Sequence, residues 1–211
     1  MRIKSVKFVM ASWVCLSMWL GAATQSKPRV YTISPNESSF WVQVDKAGFL
    51  KAFGDDHQIG VRIYSGRAVV PESGVGAGAL ELEIDARSLV VLDRDVSRSD
   101  RTKIYNNMHK EVLESEKYQK ITFKSVSVSD LKQTGAQIYS LKLNGDLSLH
   151  GVTKRIVLPV TATVSEQQLR AEGQYRLKQS DYGIKPTSAA VGAVKVKDEV
   201  VVSFNLVGKV S

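Results

Sequence analysis

Residues 141–149 read LKLNGDLSL, with Leu141, Leu143, Leu147 and Leu149 alternating with Lys142, Asn144, Asp146 and Ser148. A β-strand turns successive side chains to opposite faces, so this spacing predicts a strand with one buried face. The same alternation recurs on both sides of it. Phe40, Val42 and Val44 alternate with Trp41 and Gln43, and Leu80, Leu82 and Ile84 with Glu81, Glu83 and Asp85. Near the C-terminus the buried set is Val194, Val196, Val200, Val202, Phe204 and Leu206. Further strands are predicted at Ile59–Tyr64, Ile121–Val128, Ile156–Val164 and Leu169–Leu177, with shorter ones at Val30–Ile33 and Arg67–Val70. That makes roughly eight to ten strands at hairpin spacing, the pattern of a closed barrel or a sandwich.

Two segments break the alternation. Ala47, Leu50 and Phe53 are spaced for a short helix over Asp45–Phe53, ending at Gly54. Ile104, Tyr105, Met108 and Val112 fall on one face of a helix over Arg101–Ser115, with Ser99 or Asp100 as cap. There is no long linker and no internal repeat. The reading is therefore all-β with one or two short helices, in one mature domain.

The first residues follow another logic. Arg2, Lys4 and Lys7 precede an apolar run from Phe8 to Leu20, and Gly21-Ala22-Ala23-Thr24 supplies small residues. Basic, apolar and small-residue segments in that order predict a secretory signal over 1–23, cleaved after Ala23, with the mature domain over 24–211. The apolar run falls short of the ~20 residues that cross a bilayer. Cys15, the single cysteine, leaves with the leader, and a mature chain without thiols suits an oxidising compartment. Trp13 and Trp19 leave too, so Trp41 is the one tryptophan of the mature domain.

Composition closes several other routes. One cysteine in 211 residues excludes an internal disulfide, a zinc ribbon or a cysteine-ligated cluster. A formal charge of +8 raises the question of nucleic acid. Yet the basic residues are interleaved with acids, as in Arg94-Asp95 and Lys195-Val196-Lys197-Asp198, and no stripe of Lys and Arg carries stacking aromatics. A solvated surface is the better account, with transient contact at an anionic membrane surface as a weaker role for the positive charge.

Catalytic patterns are missing. His57, His109 and His150 lie far apart, and no His-Glu-x-x-His spacing or neighbouring cysteine offers a metal site. Gly74-Val75-Gly76-Ala77-Gly78 is followed by a strand pattern, so it lacks the helix N-terminus that a phosphate loop needs. No serine sits in Gly-x-Ser-x-Gly. No metal and no cofactor is expected.

Three stretches carry more than pattern. They are DRTKIYNNMHKEVLESEKYQKITFKS over 100–125, LNGDLSLHGVTKRIVL over 143–158, and LKQSDYGIKPTSAAVGAVKVKDEVVVSFNL over 177–206. With a strand-turn opening at Tyr31–Gly48, they resemble the YceI-like family of exported lipid-binding proteins, from about Tyr31 to Lys209. Gly145–Lys154 is the most specific run, supported by Ser180-Asp181-Tyr182-Gly183-Ile184. The resemblance implies a lipocalin-like antiparallel β-barrel of about eight strands, exported to the periplasm. It also implies binding of polyisoprenoid or other long-chain amphiphiles inside the barrel, without catalysis. Two departures stand out. Lys120 replaces a common proline before the Ile-x-Phe strand, and Gly54-Asp55-Asp56-His57 has Asp55 where the family's turn has histidine.

An eight-strand barrel is either filled by its own side chains or holds one small ligand, and both need apolar inward faces. The expected ligand-binding set is Phe40, Val42, Phe49, Phe53, Phe123 and Leu143, with His57, Arg101 and Lys103 near a headgroup. The expected partner is an isoprenoid or fatty amphiphile. The oligomeric state is not written in any stretch; a homodimer is one option. His150 and Asp181 read as turn caps. A filled barrel working through its surface is the competing reading, and an enzyme built on Asp55–His57 ranks last.

Overall fold

The computed structural model describes residues 27–47, 57–186, 188–189 and 194–211. The leader 1–23, Phe49, Phe53 and the remainder of the Gly54–Asp56 turn lie outside the described residues. In chain order the strands are β1 (Arg29–Ile33), β2 (Ser39–Ala47), β3 (His57–Val61), β4 (Tyr64–Val70), β5 (Ala79–Asp85) and β6 (Leu89–Val91). Helix α1 (Arg98–Asn107) follows, then β7 (Lys120–Gly135), β8 (Ile138–Leu149), β9 (Val152–Val164), β10 (Gln168–Lys178), β11 (Ser188–Ala189) and β12 (Val194–Val210).

All pairings are antiparallel, and the sheet closes on itself. The ring runs β1–β4–β5–β7–β8–β9–β10–β12 and returns to β1 where Ile33 meets Gly208. This is an eight-stranded barrel, as the resemblance implied and one of the two architectures, barrel or sandwich, that the alternation allowed. Along β12 the partner changes: Gly208–Val210 pair with β1, whereas Asn205 to Val200 pair with Ser39 to Val44 of β2. From β2 the sheet continues to β3 and then β6. One end of the barrel is therefore walled by β1 and β4, and the other by β2, β3 and β6.

The two ends pack differently. At the β1 end, Tyr31, Ile33, Ala68, Leu141, Leu143, Val160 and Leu169 are all buried in one cluster, side chain against side chain. Tyr31 is wholly buried, and its hydroxyl donates to the Ser165 carbonyl. Further along, the Phe123 ring lies across the neighbouring strand at Gly145. A Cβ at Gly145 would stand 2.6 Å from Phe123 Cζ, so only glycine lets that ring lie flat on the wall.

Three expectations are corrected. Asp45–Ala47 continue β2 as extended chain and do not begin a helix, and the rest of that predicted helix lies outside the described residues. Ile59–Tyr64 is not one strand. The chain bends at Arg62–Ile63, because β3 joins β2 and β6 while β4 joins β1 and β5, and Ile63 N–H donates to Ser88 Oγ at 3.0 Å to hold the bend. The helix begins at Arg98, two residues before Asp100, with Ser97 as cap: Asp100 N–H donates to Ser97 Oγ at 3.1 Å. It passes into a π-helical turn over Met108–Val112 in place of continuing to Ser115.

Candidate functional site

Above the filled end the barrel holds a partly open cavity of about 180 Å³, taken as the space open to the centre of a water-sized sphere. That is roughly ten times what a single water needs on the same measure. Inward positions of β2, β5, β7, β8, β9, β10 and β12 form its wall. Among them are Val42, Leu82, Phe123, Leu147, Ile156 and Val202. Among the described residues no charged side chain lines it, and the polar groups on the wall are Thr122, Gln179 and the Tyr175 phenol. An apolar space of this kind favours hydrocarbon over water.

The upper closure comes from segments that are not barrel strands. Met108 and Val112 of the π turn, with Leu113 just after it, line the cavity together with Leu89 of β6. His109 fastens that turn. Its Nε2 donates to the Leu89 carbonyl at 3.0 Å, and its Nδ1 is hydrogen-bonded to the buried Ser115 hydroxyl at 2.9 Å. Leu89 lies on β6, whose outer edge has no strand partner among the described residues, so the imidazole takes the place of a ladder bond. Across the cavity, Gln179 and Ile184 contribute from the turn after β10. That turn is held by His150, whose Nδ1 bonds the Tyr182 carbonyl at 3.2 Å and whose Nε2 bonds Glu114 Oε2 at 2.8 Å. His150 occupies a left-handed position with φ 51°, in keeping with a turn role.

The structure scatters the residues singled out from sequence. Phe40, Val42 and Phe123 lie on the cavity wall. The Phe40 ring stands 6.2 Å from those of Tyr64 and Phe204, forming an aromatic shelf at the junction of the two ends. Leu143 is buried in the core opposite Leu158 and is not among the wall residues. Phe49 and Phe53 lie outside the described residues. His57 is off the wall: its Nδ1 meets Asp93 Oδ2 at 2.6 Å, and Asp93 also accepts from the Gln58 N–H at 2.7 Å. Arg101 donates to the Asp93 and Val96 carbonyls, and Lys103 pairs with Asp100 at 3.0 Å. These basic groups stitch the segment after β6 to β3 and to its own helix; they do not reach the cavity.

Sequence reasoning missed Met108, Leu113, Tyr175, Gln179 and Ile184 as wall residues. Met108 and Val112 had a signal in the helical spacing that also marks Ile104. Gln179 had none, since a polar residue after a strand reads as a turn.

Tyr182 is almost wholly buried, and burial pushes its phenol up to about 12, with Tyr175 and Asp181 adding to the effect. Burial raises Tyr175 as well, followed by Asp181. Both phenols therefore stay protonated and able to donate near neutral pH. Among the described residues no group of three or more His, Cys, Asp and Glu side chains is arranged to hold a metal ion.

Solved structures share this architecture. Burkholderia cenocepacia BcnA superposes with a TM-score of 0.62 at 18% identity, over 83% of this chain and 98% of that one. A polyisoprenoid binding domain from Saccharophagus degradans, implicated in plant cell wall breakdown, gives 0.62 at 15% identity, over 86% and 98%. The Campylobacter jejuni YceI protein gives 0.53 at 14% identity, over 72% and 84%. At these identities the likeness is one of fold. No curated protein sequence matches the chain. The family model described as the YceI-like domain matches residues 31–208, and the chain belongs to that family.

Proposed function

We propose that the protein binds a polyisoprenoid or other long-chain amphiphilic lipid inside the barrel and carries it in the periplasm, without catalysis. The observation that carries this reading is the apolar cavity of about 180 Å³ at one end of a barrel whose other end is filled. Each buried CH₂ contributes about 0.8 kcal/mol. A five-carbon isoprene unit would then bring roughly 3–4 kcal/mol before ordering costs. A few units reach micromolar affinity, near 8 kcal/mol. Tail burial, not charge pairing, sets affinity on this reading. Support for export is the pattern of Arg2, Lys4, Lys7, the apolar run and Gly21–Ala23. Membrane contact during loading, through the basic surface, belongs to the same proposal.

The test is titration of the mature protein with the apolar fluorophore N-phenyl-1-naphthylamine. Saturable uptake that long-chain lipids displace is expected, and Phe123→Asp, which puts a charge on the wall, should abolish it while the circular dichroism of the barrel persists. Absence of uptake in the unaltered protein would leave the filled-barrel, surface-acting reading in its place. Export is checked separately: N-terminal sequencing of protein from the exported fraction should begin at Thr24, within a residue or two.

A further inference from the structure

The two segments that close the cavity meet at one side chain. His150, in the turn between β8 and β9, bonds Glu114 just after the π turn and the Tyr182 carbonyl in the turn after β10. The first segment brings Met108, Val112 and Leu113 to the cavity, and the second brings Gln179 and Ile184. The imidazole is nearly buried, with 10% of the His150 side chain exposed. Both partners of the ion pair stand in left-handed backbone, Glu114 at φ 44° and His150 at φ 51°. That conformation is uncommon for residues with a Cβ, so neighbouring contacts must hold both there.

Proton counting gives the contact its meaning. A carbonyl oxygen only accepts, and so does an ionised carboxylate. His150 Nδ1 faces such a carbonyl at 3.2 Å, and Nε2 such a carboxylate at 2.8 Å. A neutral imidazole has one N–H, so it satisfies one of these oxygens and turns a lone pair on the other. Both contacts are made only when the His150–Glu114 pair carries one further proton, on the imidazole or on the carboxyl. His109 differs: it faces the Leu89 carbonyl and the Ser115 hydroxyl, which can donate or accept, so a neutral ring satisfies both. Around His150, the Glu114 segment also supplies the Tyr118 ring, 4.2 Å from the imidazole, with Lys117 Nζ 4.8 Å from that ring. The turn after β10 supplies Asp181, which is paired with Lys154 of β9 at 3.0 Å.

We propose that the His150–Glu114 pair is a proton-operated clamp over the cavity, tying the π-turn segment to the turn after β10 when protonated and loosening as pH rises. The sign follows from linkage. The clamped form binds one proton more than the loosened form, so the clamp is strongest at low pH and weakens as pH rises. Loosening parts Met108–Leu113 from Gln179–Ile184, and lipid exchange quickens. That last step rests on the lipid-binding reading; the clamp itself does not.

Amide exchange of the ligand-free protein, corrected for intrinsic rates, tests the clamp at pH 5.5 and 8.5, on the two sides of the range where imidazoles change charge. Exchange over residues 108–118 and 179–184 should be about tenfold faster at pH 8.5, as loss of one charge-assisted hydrogen bond allows. Protection in β8 should stay the same. Glu114→Gln should abolish the difference, because its amide N–H donates to a neutral His150 and closes the clamp without the added proton. His150→Asn, a residue that tolerates left-handed backbone, should exchange fast at both pH values. Dissociation of N-phenyl-1-naphthylamine should follow the same order. Equal protection at the two pH values in the unaltered protein, or a pH response that survives in Glu114→Gln, would overturn the clamp. A pH response in a protein that takes up no fluorophore would uphold the clamp and remove the lipid-binding reading.

Discussion

Leu143 and Leu82 are 7% and 8% exposed, and both point into the barrel from alternating strands. Leu143 stands opposite Val128 and Leu158 in the buried core and does not line the cavity. Leu82, opposite Gly66 of β4 and Phe123 of β7, faces the cavity. Burial from water is the same in the two places; facing the cavity is not. Continuity of the ladder accounts for the contrast. Around the filled end each strand has a hydrogen-bonded neighbour on both sides, which draws the wall tight enough for side chains to fill it. At the other end, among the described residues, β6 pairs with β3 alone and β9 and β10 part after Thr161 and Glu172, and the π turn bonds β6 through His109.

The largest expected effect separates those two leucines directly. Leu143→Ala should cost about 3–4 kcal/mol in urea unfolding, because the deleted methyls leave a void in packed surroundings. Leu82→Ala should cost about 1–2 kcal/mol, since its methyls already lack partner atoms on the cavity side. Equal losses would break the comparison. Next comes the fastening of the hollow end. His109→Ala strips a bonding partner from the Leu89 carbonyl and from the buried Ser115 hydroxyl, at about 2 kcal/mol. Amide exchange should quicken over residues 108–115 and stay slow in β8 and β9; a uniform change would mean the turn is not separately held.

A smaller effect concerns binding. Val42→Phe adds a ring to the cavity wall and should weaken fluorophore uptake about tenfold, near 1.4 kcal/mol, with little change in stability because space for the ring exists. The corresponding enlargement in the filled end, Ala162→Phe, should destabilise the protein and leave the affinity of the folded fraction alone. Smallest is a pH effect at the turn after β10. The Ser180 hydroxyl and then its N–H, bonded to Asp198, hold that carboxyl below the ordinary aspartate value of 3.8. A depressed folded value gives stability that is present above 3.8 and lost as pH falls below it. Melting temperatures of the unaltered protein and Asp198→Asn should differ slightly at pH 7 and converge at pH 3; a constant gap would deny Asp198 that role.

The legible part of this molecule is the part governed by period two. LKLNGDLSL and its counterparts specify which face of each strand is buried, and the face is right for Phe40, Val42, Leu82, Phe123 and Leu143 alike. What lies opposite that face is not legible, because filling or hollowness depends on pairing between β9 and β10 or β6 and β7, far apart along the chain. Leu143 was therefore grouped with cavity residues on the same grounds as Phe123. Pro159 and Gly173 are visible in the sequence, but their close approach, with the Pro159 carbonyl oxygen 2.4 Å from where a Gly173 Cβ would stand, needs the register that brings them together. The polar wall group Gln179 and the buried Tyr182 follow a strand in a stretch rich in turn signals, where burial has no periodic mark.

Native mass spectrometry of the mature protein from the exported fraction, with organic extraction of any added mass, tests the central claim most directly. A discrete adduct that extracts as a polyisoprenoid or other long-chain lipid is the predicted result. A bare mass, together with no uptake of N-phenyl-1-naphthylamine by the same preparation, would contradict it.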